Sequence, residues 1–144
     1  MKSASCKAKG RRFQQKVAHA VLETFPDLHP DDVRSTSMGC GGEDVQLSTA
    51  ARRHLPLSIE CKCVERLNVW QHLEQSERNA PDGTTPCLVF ARNRSSTYAI
   101  LPWSVVLSLY KARTRTSAIP RHVRALIEQL ALSVEPEALA PDEV

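Results

Sequence analysis

Three side chains in the middle of this 144-residue chain are suited to phosphate chemistry: Asp44, Glu60 and Lys62. Leu57, Ile59, Cys61 and Cys63 alternate with Ser58, Glu60 and Lys62, which is the period of a half-buried strand. Residues two apart on a strand share a face, so Glu60 and Lys62 point one way and Ile59, Cys61 and Cys63 the other. Asp44 opens a short alternating run with Val45 and Leu47. If the two runs pair as a hairpin, both carboxylates meet. Two carboxylates offer hard oxygens to magnesium or manganese. Such an ion acidifies water and stabilises charge on a phosphate, and a lysine one step away can orient or deprotonate the attacking water. The set suffices for phosphodiester hydrolysis. The bland alternative is an acid and a lysine screening each other on an exposed strand. A zinc site at Cys61 and Cys63 is disfavoured, because two cysteines two apart on a strand chelate poorly.

These residues need positioning elements. Phe13, Val17, Ala20, Val21 and Phe25 recur at helical spacing, which predicts a helix over roughly 9–25, stopped by Pro26. A strand over 33–37 leads into a glycine turn over 38–42. A second helix is expected over 68–80, with Val69, Leu73, Ser76 and Ala80 inward and Gln71, Gln75, Arg78 and Asn79 on another side. Strands follow over 87–91 and 97–101, joined by a basic turn. A helix begins near Pro102 with Val105, Val106 and Leu109 apolar, and another is expected over 121–132. The order α-β-β-β-α-β-β-α-α implies an α/β or α+β domain with a central mixed sheet of about five strands flanked by helices. One domain over 1–134 is expected, then an acidic, flexible tail over 135–144. Trp70 and Trp103 flank apolar helix faces and read as packing residues.

Charge is unevenly distributed. Lys2, Lys7, Lys9, Arg11, Arg12 and Lys16 precede any acid. No acid lies between Asp82 and Glu128, a stretch that holds Arg92 and Arg94, and after Arg124 every charge is negative. Basic clusters of this kind suit a polyanion, and Lys7, Lys9, Arg11, Arg12, Arg92 and Arg94 are the candidate phosphate contacts. No apolar run approaches a membrane span, and no apolar leader core follows the basic start. The odd cysteine count does not suggest a secreted disulfide framework, so the cytoplasm is the expected location.

Asp44…Glu60-Cys61-Lys62 resembles the D…(D/E)-x-K signature of the PD-(D/E)XK nuclease superfamily. Lys9-Gly10-Arg11-Arg12-Phe13-Gln14 stands where archaeal-type Holliday junction resolvases carry a Lys-Gly-x-x-x-Glu start. The run Ser37-Met38-Gly39-Cys40-Gly41-Gly42 and the helix after the triplet are also similar. The likeness covers about two-thirds of the chain, from Lys9 to Leu101, and is strongest to short resolvase-like endonucleases of bacteriophages. It implies a restriction-endonuclease-like fold and a magnesium- or manganese-dependent endodeoxyribonuclease. Asp44, Glu60 and the carbonyl of Cys61 would hold the metal, and Lys62 would activate water. The resemblance further implies branched DNA as substrate, above all four-way junctions, a homodimer to cut them symmetrically, and the host cytoplasm if the chain is phage-encoded. It suggests that Gln75 supports Lys62 or reaches substrate. Ser35 and Ser37 are placed to touch a phosphate near Asp44. Gln14 replaces the family's glutamate. Its spacing to Val17, Ala18 and Val21 turns it inward, where its amide oxygen can approach the metal without adding charge, which favours one metal over two. The competing expectations are a less structure-specific nuclease and a catalytically inactive nucleic-acid binder.

Overall fold

The computed structural model describes residues 2–36 and 41–117, and the single helical positions Val123, Ala125 and Gln129. Ser37, Cys40, the expected helix over 121–132 (those positions apart) and the tail over 135–144 lie outside the described residues. The chain divides into two compact units, Met1–Pro102 and Trp103–Val144.

The first unit opens with helix α1 (Lys2–Thr24), a short 3-10 turn (Pro30–Asp32) and strands β1 (Val33–Ser35) and β2 (Val45–Leu47). Helix α2 (Thr49–His54), strand β3 (Leu57–Cys63), helix α3 (Val69–Asn79) and strands β4 (Thr85–Ala91) and β5 (Tyr98–Ile100) complete it. The second unit contains helix α4 (Trp103–Ser117), on which Trp103, Leu107, Leu109 and Tyr110 are exposed.

The five strands form one sheet in chain order, β1-β2-β3-β4-β5. Only β3 and β4 run parallel; the other neighbours are antiparallel. A parallel pair needs a crossover, and α3 supplies it. The fold is therefore α+β, with a mixed five-stranded sheet flanked by helices, as the alternation predicts.

The two faces of β3 have different coverings. Ile59 and Cys61 join Phe13, Val17 and Ala18 of α1, with Val33, Val45 and Leu47, in the main core. Ser58 and Glu60 are buried on the other face, where α3 packs through Ser76 and Asn79. Leu88 is level with Glu60 and with Ile100, and it is fully buried.

Two helices differ from the sequence expectation. α1 begins at Lys2, not near Lys9, because its first residues are mostly good helix formers with no apolar period to mark them. α2 is unexpected. It spans six residues, too few for a periodic signal, although its N-cap was readable: the Ser48 side chain accepts from the Ala51 amide at 3.2 Å.

Leu88→Ala should destabilise the protein by about 2–5 kcal/mol, because the site is walled on both sides by neighbouring strands and collapses poorly. Urea unfolding checks it; a loss below about 1 kcal/mol would contradict this packing.

Candidate functional site

The β2–β3 ladder is short, with one register pair, Val45 and Ile59. One residue earlier, the Asp44 amide donates to the Ile59 carbonyl at 2.9 Å. The next donor along β3, the Cys61 amide, has no strand opposite it. The Asp44 carboxylate replaces the missing carbonyl, accepting from Cys61 N through Oδ2 at 2.8 Å. Its other oxygen, Oδ1, accepts from Gln14 Nε2 at 2.6 Å. The first acid is thus fixed by backbone on one side and by α1 on the other. A residue's N–H and C=O share one edge of a strand, so the Cys61 carbonyl lies on the Asp44 edge as well.

Glu60 is 2% exposed. Lys62 Nζ donates to its Oε1 at 2.6 Å and Asn79 Nδ2 to its Oε2 at 3.3 Å. The two acids act on each other. Burial raises the Asp44 pKa above the ordinary carboxylate value, and the Glu60 charge raises it further; the Cys61 amide, Lys62 and Gln14 oppose the shift. Burial also drives the Cys61 thiol far up and pushes the Cys87 thiol up to about 11, so neither is a thiolate at neutral pH.

A divalent cation fits this donor set. The described residues contain no group of three or more His, Cys, Asp and Glu side chains able to hold a metal, so a site here must draw on neutral oxygens. One is present. Gln14 is buried, and its Oε1 has no hydrogen-bond partner among the described residues although Nε2 is anchored on Asp44. A buried acceptor without a donor beside a carboxylate is stabilised by a hard cation. Asp44, Glu60, Gln14 Oε1 and the Cys61 carbonyl are the available oxygens.

The remaining expectations divide. Lys9 and Gly10 line a cleft of about 370 Å³ together with Cys61, Lys62 and Glu65. Lys9 also pairs with Glu65 at 3.4 Å. Lys7, Arg11, Arg12, Arg92 and Arg94 are exposed and make no ion pair among the described residues. Arg94 holds a left-handed backbone, φ 57°, in the basic turn. Ser35 pairs with Val45 in the ladder beside Asp44. Gln75 lies against His72, whereas Asn79, one turn further along α3, reaches Glu60. Trp70 and Trp103 are not packing residues: they are 77% and 70% exposed. The inward face of α3 is a polar stripe of His72, Ser76 and Asn79, which leaves Trp70 outside.

Three contributors escaped the sequence reading. Asn79, expected on another side of α3 than the inner stripe, reaches Glu60 instead. His72 faces the pair: burial and the Lys62 charge lower its pKa, so it is neutral near pH 7, and its buried Nδ1 has no hydrogen-bond partner among the described residues. Arg52 of α2 pairs with Glu43 and donates to the Leu57 carbonyl at 3.1 Å, bracing both strands that carry the acids. No family model, curated protein or solved structure matches the chain.

Because the folded-state pKa of Asp44 lies above the unfolded one, the native protein binds the extra proton. The stability that Asp44 contributes is present at low pH and lost as pH rises through the raised value. Asp44→Asn removes this dependence: the amide still accepts from Cys61 and can donate to a rotated Gln14. With EDTA present, the variant should melt a few degrees above wild type at neutral pH, the gap closing towards about pH 4. A gap that does not change with pH would contradict the assignment.

Proposed function

We propose that this protein is a divalent-metal-dependent endodeoxyribonuclease of the PD-(D/E)XK type, acting on branched DNA and most readily on four-way junctions. The observation that carries the reading is that Asp44, one residue before β2, feels the charges of Glu60 and Lys62 on β3 and is bonded to Gln14, whose Oε1 has no partner among the described residues. A structural ion pair would require Glu60 and Lys62 alone. It would not require a second carboxylate, Asp44, that feels the Glu60 charge, or a buried amide oxygen left without a donor among the described residues.

Magnesium or manganese at these oxygens would neutralise charge on the scissile phosphate and acidify water. The chain's own groups do the rest. Asp44 is held rigid by Cys61 N and Gln14, so it needs no reordering on binding. Lys62 carries three donor hydrogens and spends one contact on Glu60; the others can orient the attacking water and meet the phosphate charge. Asn79 holds the second Glu60 oxygen and fixes the carboxylate plane. Gln14 adds no charge where the family has an acid, which favours a single metal. Hydrolysis would proceed in line without a covalent intermediate. Lys9 borders the Lys62 cleft, and the exposed cations Lys7, Arg11, Arg12, Arg92 and Arg94 offer further phosphate contacts.

Symmetric cutting of a junction needs two sites, so the reading includes a homodimer with two-fold symmetry, working where DNA is handled, in the cytoplasm. Among the described residues no helix is long and apolar enough to cross a membrane.

Wild type with magnesium should nick supercoiled plasmid, and EDTA should stop it. Asp44→Asn and Lys62→Met should each lower the rate on the order of 100-fold or more. Equal nicking by wild type and Asp44→Asn would sink the assignment, and DNA binding without cutting by any form would point to a non-catalytic binder. A four-way junction should be cut faster than a linear duplex built from the same arms; equal rates would remove the junction preference and leave a general nuclease.

A further inference from the structure

The strand register extends the site sideways. Lys62 of β3 is level with Phe90 of β4, and Phe90 is level with Tyr98 of β5. Level residues on neighbouring strands share a face, so the three form one row on the Glu60 side of the sheet. Adjacent strands lie roughly 4.8 Å apart, which puts Tyr98 about 10 Å from Lys62 along the row. An unstacked nucleotide chain covers that distance in a step or two.

The end of the row is a ring platform. Phe90 and Tyr98 stack with centroids 5.8 Å apart and planes 30° from parallel. Tyr98 remains 56% exposed. A hollow of about 240 Å³ opens against both rings, walled by Val64, Glu65, Leu67 and Arg92. Val64 and Glu65 also wall the cleft that holds Lys62, so the two hollows share a partition.

That partition has a defined chemistry. Glu65 Oε1 accepts from the Asn93 amide at 3.2 Å and from Lys9 at 3.4 Å. Among the described residues nothing donates to its Oε2. A carboxylate in the wall repels a phosphate but accepts from the amino edge of a base. The rings offer a face on which any base can stack, and the exposed Arg92 at the rim is available to the backbone.

We infer that the Phe90–Tyr98 hollow receives an unpaired nucleobase next to the scissile phosphate, stacked on Tyr98 with its amino edge towards Glu65. This rests on the nuclease reading and gives its branched-DNA preference a physical cause. In a linear duplex every base is paired and stacked, and extruding one is costly. In a single strand the cost is largely removed, and at an open branch point, where stacking on one side is interrupted, it is lowered.

The probe is DNA containing 2-aminopurine, whose fluorescence is quenched on stacking. One form is a single strand; the other is a four-way junction labelled at the exchange point. The full chain carrying Asp44→Asn binds without cutting. Quenching is expected with Tyr98 intact and with Tyr98→Phe. Tyr98→Ala and Tyr98→Leu should lose it and bind about tenfold more weakly, the typical worth of one stacked base. Tyr98 is exposed, so unchanged melting temperatures should show that these variants fold. Quenching that ignores Tyr98→Ala overturns the inference, as does a hollow that binds only an apolar compound or a second copy of the chain. The two readings fail separately. Quenching that depends on Tyr98 in a protein that never cuts DNA supports the base site and removes the nuclease. Cutting with quenching indifferent to Tyr98 removes the base site and keeps the nuclease.

Discussion

Glu60 lies in the central strand of the sheet with 2% of its surface exposed, and an ionised carboxylate does not stay in such a place alone. Moving a bare carboxylate out of water costs several kcal/mol even after relaxation. The surroundings are arranged to offset that cost. Lys62 comes from the same face of the same strand, so the pairing is set by strand period alone. Asn79 comes from the crossover helix, so it is in place only when β3 and β4 are parallel and α3 lies across them. The parallel pair and the crossover thus bring the polar inner stripe of α3 over this carboxylate.

Asp44 is held by the opposite means. Strand β2, which begins one residue later, is too short to pair fully with β3, and the Asp44 side chain takes over where backbone pairing stops. The substitution joins the acid to the neighbour of Glu60 and brings two negative charges within mutual influence. Burial first, and the Glu60 charge after it, raise the Asp44 pKa. Gln14 offsets part of the rise with an N–H while leaving its oxygen without a donor among the described residues. A site in this condition is short of positive charge, which is why a cation is the natural complement. Arg52 and Glu43 brace the frame, so the short helix between β2 and β3 belongs to the support of the site.

The sorting of β3 into two faces was legible because strand period is a local rule: Cys61 is buried against α1, and Glu60 and Lys62 meet on the other side. Gln14 turned inward as its spacing to Val17 and Val21 required. α2 was hidden by its length, which allows no periodic pattern. Asn79 and Gln75 were confused because α3 buries a polar stripe. A helix is normally oriented by its apolar residues, and here Val69 and Trp70 are exposed while Ser76 is buried. What turns α3 is Glu60, a residue on another element.

The sequence by itself determined the longer elements, a mixed sheet flanked by helices and the residues able to carry charge chemistry, because helix and strand periods are written in neighbouring positions. The tertiary structure decided which polar groups meet. The bond from Cys61 to Asp44, the reach of Asn79 to Glu60 and the row from Lys62 to Tyr98 all depend on strand register and helix rotation. Those are fixed by what must be buried across the whole sheet, and no local pattern records them.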